Sequence, residues 1–270
     1  MERRREIDVT KEIQNIIDAI KRYFVNNGNE NTKAVIGISG GKDSTIAAAL
    51  LVRALGKNRV IGVMMPQGNQ SDIADSIEVC KTLDIPHFTI NVGSACSDLY
   101  RAIDEGYDFD HCCKDIPAVA TNVPARMRMN TLYAVAAMIG GRVINTGNKS
   151  ELYVGYTTKY GDLAGDFAIF KDYCVREVLE IGDNLDELPK HLVFKAPGDG
   201  MSGKTDEDNM GFTYDVLDAY ILDKVMPDYE TLRNIEERHE RNRHKNDINI
   251  PYVHNKTRRW NDGIETEFYF

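Results

Sequence analysis

Six consecutive residues, Ser39-Gly40-Gly41-Lys42-Asp43-Ser44, combine the ingredients of a polyphosphate site. Glycines lack a Cβ, so backbone N–H groups can crowd around an anion. Ahead of them Val35, Ile36 and Ile38 form a short β-branched run, as a buried parallel strand would. Behind them Ser44 can cap an apolar helix running to Leu55, whose N-terminus carries about half a positive charge. Strand, glycine turn and helix N-terminus together make a phosphate cradle. The common spacing G-x-x-x-x-G-K-[ST] fails, because Ile36 stands at the first glycine position and Asp43 follows Lys42. A carboxylate beside a phosphate makes sense chiefly when a divalent metal lies between them.

A second polar block spans 145–166 and carries Thr146, Glu151, Lys159, Asp162 and Asp166. Taken singly, each has a bland reading. Glu151 suits a helix start favoured by the dipole, and Asp162 suits a turn cap. Arg126 could be a solvated cation, and Arg128, two residues on, must face elsewhere on a helix. His244-Lys245 closes a charged run that reads as a solvated helix end. His111-Cys112-Cys113 has no properly spaced second half, and adjacent cysteines cannot easily share one zinc, so it reads as loop.

The elements that must position these residues alternate. Residues 10–27 place Ile13, Ile16, Ile17, Ile20 and Phe24 on one helical face, with Gly28 after it as C-cap. After the glycine turn come a helix to 55, a strand at 59–65, a helix from Ser71 to about 83 and a strand at 87–92. A long helix at 121–139 keeps Pro124 in its first turn, and a strand follows at 142–146. This alternation predicts a doubly wound parallel α/β sheet of about five strands, with ligands at the strand C-termini. The C-terminal part is helical, roughly 172–181, 212–224 and 228–243. Residues 198–209 read as a mobile lid.

Of 270 residues, 42% are hydrophobic and 28% charged, which suits one globular domain over 1–270. The net charge of −9 and pI near 5.2 argue against nucleic acid as the main partner. The longest apolar stretches fall well short of the roughly 18 residues of a membrane span. The N-terminus leads into no apolar secretion signal. Five cysteines with no CxxC pair fit free thiols and a cytoplasmic setting.

Six pieces, in order, resemble the ammonia-dependent NAD(+) synthetases of the ATP pyrophosphatase group. They are 39–44, 125–129, Thr146 with Glu151, 158–162, Thr205-Asp206-Glu207 with Gly211, and His244-Lys245. The resemblance implies an adenine-nucleotide-hydrolase-like fold and a ligase. ATP would adenylate the nicotinate carboxylate of deamido-NAD, and ammonia would displace AMP to give NAD. It further implies that Gly37, Ile38, Ser39, Gly40, Gly41, Lys42, Asp43, Ser44 and Thr146 hold ATP, with Mg2+ on Asp43 and Glu151. Arg126, Lys159, Asp166, His244 and Lys245 would hold deamido-NAD, and Asp162 would orient ammonia. The charge of Lys42 points to phosphate or to solvent. Relatives are homodimers, and some carry an amidase domain that 36 residues ahead of Gly37 would not accommodate. Val175 falls where many relatives place an ATP-contacting lysine, and Gly198 where they have Ser or Thr. Arg176 or Lys204 would then cover the phosphate, or one contact is lost. Two other readings are a tRNA-modifying ATP pyrophosphatase, which wants a basic surface, and a nucleotide-binding module without catalysis. The latter would have little need for both Asp43 and Glu151.

Overall fold

The computed structural model describes residues 7–68, 73–107, 112–195 and 205–246. Five parallel strands form one sheet in the order β3-β2-β1-β4-β5. They are β1 (Lys33–Gly37), β2 (Val60–Met64), β3 (His87–Thr89), β4 (Gly141–Asn145) and β5 (Phe167–Ala168). Between and after them run α1 (Val9–Asn26), α2 (Lys42–Leu55), α3 (Ile73–Thr82), α4 (Gly93–Gly106), α5 (Pro117–Ile139) and α6 (Lys149–Val154). The C-terminal part holds α7 (Val175–Asp183), α8 (Lys190–Val193), α9 (Asp206–Met210), α10 (Tyr214–Asp223) and α11 (Tyr229–Asn246).

Strand alternation distributes the core over two layers. Ala34, Ile36 and Ile144 pack with the apolar faces of α1, α2 and α7, where Ile20, Leu50 and Ile181 are fully buried. Val35, Val63 and Val143 point the other way and meet Val135 and Ala136 of α5. From β1 the chain winds outward through β2 and β3, then returns to place β4 on the opposite side of β1. Crossovers that diverge from neighbouring strands leave a crevice at their C-terminal ends. That switch point sets the loop after β1 beside the loop after β4.

Several boundaries differ from expectation. Helix α5 begins at Pro117, which occupies its first turn, so Pro124 lies inside the helix rather than at its start. Proline's fixed φ suits the first helical position, which explains the earlier start. Strand β3 stops at Thr89, and Asn91 turns the chain by accepting the N–H groups of Gly68 and Gly93. Helices α4, α8 and α9 were not expected; α6 covers Glu151, where a helix start was read, and the two-residue β5 completes a sheet of five strands. The segment read as a lid ends in ordered structure: Thr205 caps α9 by accepting the Asp208 N–H. Gly198, Lys204, His111 and Ser71 lie outside the described residues. All five cysteines are free thiols. Among the described residues no helix is long and apolar enough to cross a membrane.

Candidate functional site

The glycine turn forms as read, but its serine does another job. Gly40 takes a positive φ of 76°, where a side chain would be strained, and Gly41 is the N-cap of α2 without side-chain capping. Ser44 does not cap. Its Oγ donates to the Gly41 carbonyl and accepts the Ser39 N–H, while the Gly41 N–H is held by Ser39 Oγ. The first-turn N–H groups of Lys42, Asp43 and Ser44 have no helical carbonyl to meet. They face a cleft of about 380 Å³ at the switch point, lined also by Thr146.

Two carboxylates converge in this cleft. Asp43 Oδ2 pairs with Lys42 Nζ at 2.8 Å, and its Oδ1 accepts the Asn148 side-chain amide at 3.2 Å. Asn148 also caps α6, accepting the Glu151 N–H, while Glu151 accepts the Asn148 N–H in return. Burial first, and the neighbouring Asp43 second, push the Glu151 carboxyl up to about 8. Of the two positions open to it, Lys42 is not in solvent; it lines the cleft. It is 3% exposed and stands over the Tyr214 ring. Burial alone would lower its pKa, but Asp43, Glu151 and Asp206 more than offset that and raise it. Two hard carboxylate oxygens that repel each other at a phosphate site suit a divalent cation such as Mg2+.

Asp162 lines the same cleft, with its side chain open to solvent there. The protein packed around this side of the cleft pushes its carboxyl up to about 6, although the Thr158 N–H donates to Oδ1 at 2.5 Å. One turn earlier, Lys159 and Tyr160 line an adjoining chamber of about 260 Å³ with Tyr133 and Lys245. The two spaces share Met129 and Ala164. The loop 158–162 therefore presents a carboxylate to one chamber and a lysine to the other.

The cleft gathers Gly37, Ile38, Ser39, Gly41, Lys42, Asp43, Ser44, Thr146, Glu151 and Asp162 of the expected residues. Gly40 shapes the turn without lining the cleft. Lys159 and Lys245 line the adjoining chamber. Arg126, Asp166 and His244 line neither space. Arg126 donates to the Lys159 carbonyl, and His244 Nδ1 bonds the Arg241 carbonyl. Asp166 accepts the Val143 N–H and the Tyr133 hydroxyl, continuing the strand ladder. Of the two arginines on α5, Arg128 reaches the cleft. Arg176 is committed elsewhere, bidentate to Asp223 at 2.8 and 3.1 Å, and Val175 is core. Asp206, singled out in the 205–207 piece but given no role, lines the cleft; Lys195, which pairs with Asp75, and Asn148, bonded to Asp43, were not anticipated. The spacing Asn148-x-x-Glu151 is a capping-box signature, so Asn148 was discoverable.

The family profile described as NAD synthase matches residues 12–249. An NH(3)-dependent NAD(+) synthetase from Methanococcoides burtonii is 38% identical over 218 residues, 80% of each chain. The structure of an NMN synthetase from Francisella tularensis superposes with a TM-score of 0.81 at 32% identity, covering 92% of this chain and 99% of that one. An NH3-dependent NAD synthetase from Campylobacter jejuni, in complex with the nitrate ion, gives 0.71 at 26% identity, covering 93% and 100%.

Proposed function

Because the chain belongs to the NAD synthase family, we propose that it is an ammonia-dependent NAD(+) synthetase, a ligase that amidates deamido-NAD at the expense of ATP. The observation that carries this is the loop 158–162, which sets Asp162 in the phosphate cleft and Lys159 in the chamber beside it. A nicotinate carboxylate oxygen attacks the α-phosphorus of ATP and pyrophosphate leaves. Ammonia nitrogen then bonds the carboxyl carbon, and AMP leaves with the electrons of the broken C–O bond.

The chain's own groups fit these steps. First-turn N–H groups of α2 hold phosphate oxygens, and the switch point brings Thr146 alongside. Asp162 binds ammonium in the cleft and takes one proton from it, freeing the lone pair that attacks carbon; the second proton passes to water as AMP leaves. Asp43 and Glu151 would hold Mg2+, which when bound offsets polyphosphate charge. The Lys42 pair with Asp43 is the contact such an ion would replace. Arg126, Asp166 and His244 would act from behind the chamber, by holding the backbone that shapes it.

The Francisella match favours a second acceptor, the mononucleotide of the same nicotinate ring. Both acceptors present one carboxylate to the same chemistry. The test gives the purified protein Mg-ATP, ammonium and each acceptor in turn. We expect amide with equal AMP and pyrophosphate, and a higher kcat/KM for deamido-NAD; a preference for the mononucleotide would reassign the substrate. No amide from either would remove the ligase reading.

We also propose a homodimer. Helix α5 has 23 residues, of which only Pro124, Val135 and Ala136 are buried. Its outward face carries Ala134, Ala137 and Met138, the last 84% exposed. An apolar helix left this open is a face for a partner copy. Light scattering at micromolar concentration should give twice the chain mass, and Met138→Glu should shift it toward one.

A further inference from the structure

Helix α11 has little apolar surface to bury beyond Ile235, yet it packs along α6 through side-chain donors. His239 Nδ1 meets the Tyr153 carbonyl at 2.7 Å, and its ring stacks on Tyr153 at 4.2 Å. Asn242 donates to the Val154 carbonyl and Asn246 to that of Leu152. Lys245 Nζ donates to the carbonyls of Gly155 at 2.8 Å and Thr157 at 2.9 Å. These four residues share one helical face. Together they satisfy carbonyls at and just beyond the end of α6, that of Leu152 in addition to the bond it accepts from the Gly155 N–H.

The bond to Thr157 has a consequence the others lack. Its carbonyl and the Thr158 N–H belong to one planar peptide, and that N–H donates to Asp162 Oδ1. An ammonium on the oxygen end polarises the N–H end. We propose that Lys245 is a positioning residue for the ammonia-consuming step, which through the 157–158 peptide fixes Asp162 in the cleft. The inference rests on the reading of Asp162 given above. It gives Lys245 a duty to the loop, separate from any contact with a nucleotide in the chamber.

The electrostatics agree with the geometry. Lys245 lowers the pKa of Asp162 against the larger effect of the protein packed around it. The other charged groups that line the same cleft are Lys42 and Asp43 of α2, Arg128 of α5, Glu151 of α6, Lys195 after α8 and Asp206 of α9, of which Glu151 interacts electrostatically with Asp162. None is touched by replacing Lys245.

The test uses the full chain carrying Lys245→Met, with two readouts. One is a single turnover of pyrophosphate release from ATP and deamido-NAD without ammonium. The other is ammonium-dependent amide formation from pH 5 to 9. Lys245 also lines the chamber for deamido-NAD, so pyrophosphate release is read at saturating deamido-NAD, where its maximal rate should fall less than the ammonium-dependent rate. The KM for ammonium should rise about tenfold, and the acid limb should move up by about one pH unit, the scale of losing one nearby opposite charge. Lys245→Arg should restore the limb. Lys245→Gln, which keeps a donor without the charge, should shift it as Met does and serves if the Met variant does not fold. Asn246→Ala removes a comparable bond to α6 and should lower Tm without moving the limb. Equal slowing of both half-reactions with the limb unmoved would overturn the proposal, as would an equal shift in Asn246→Ala. A wild-type protein lacking ammonium-dependent product would instead overturn the functional reading itself.

Discussion

Asp162→Asn should cut ammonium-dependent kcat by about 10²–10³-fold, the range for losing one positioned proton acceptor. Pyrophosphate release should survive. The asparagine oxygen can still accept the Thr158 N–H, so the loop keeps its shape and only the charge is lost. Wild-type activity should rise with pH through about 6, where the carboxyl ionises. Stability linked to this group runs the other way. Its folded pKa lies above the ordinary value of 3.8. Between about 4 and 6 the folded protein therefore holds a proton that the unfolded chain has released, and stability falls as pH rises through that window. Activity would gain where stability is lost. A variant that keeps wild-type turnover would remove Asp162 from the proton transfer.

Asp43→Asn and Glu151→Gln should each lower kcat by about 10²–10³-fold, the cost of one preorganised electrostatic stabiliser. Both keep shape: the glutamine oxygen can still accept the Asn148 N–H, and the asparagine oxygen can still accept the Asn148 amide. Calorimetry should show weakened Mg2+ binding in the presence of ATP. The Glu151 variant has a second signature. Burial raises the wild-type carboxyl to about 8, so the metal-free protein should lose stability as pH rises from about 4.5 to 8. Glu151→Gln should flatten that slope and raise the metal-free Tm near pH 8. Wild-type rates in either variant, or an unchanged slope in the glutamine variant, would take that residue out of the metal site.

The part of the site built on local rules was readable. A β-branched run, two glycines and a helix of small apolar residues admit few conformations, and β1, the turn and α2 follow them closely. The alternation of elements gave the switch point that joins Thr146 to the turn. What depends on rotation and on long-range pairing was less legible. Two residues apart on a helix, Arg126 and Arg128 must diverge, but spacing does not say which one faces the cleft. Lys42 looks like a phosphate ligand in one dimension; only the fold brings Glu151 and Asp206 around it. Helix α4 was missed because its buried residues, Cys96 and Tyr100, make only a small satellite cluster. The His244-Lys245 end of α11 reads, by residue type alone, as a solvated helix end because its docking face is polar. Hydrophobic periodicity has no signal for a helix held by amides, a histidine and a lysine.

Asn148 narrows what evolution could place at its position. Capping α6 needs only a short acceptor, and Ser, Thr and Asp all supply one. Reaching Asp43 needs a donor as well, which an aspartate lacks; it would set a third negative charge between two that already repel. A serine hydroxyl is too short to span both duties at once. The planar amide offers oxygen to the Glu151 N–H and nitrogen to Asp43 on opposite corners of one rigid group. Spontaneous deamidation at this one side chain would therefore leave α6 capped but add a buried negative charge to the cleft, a lesion that lowers the metal-free melting temperature and alters a metal titration.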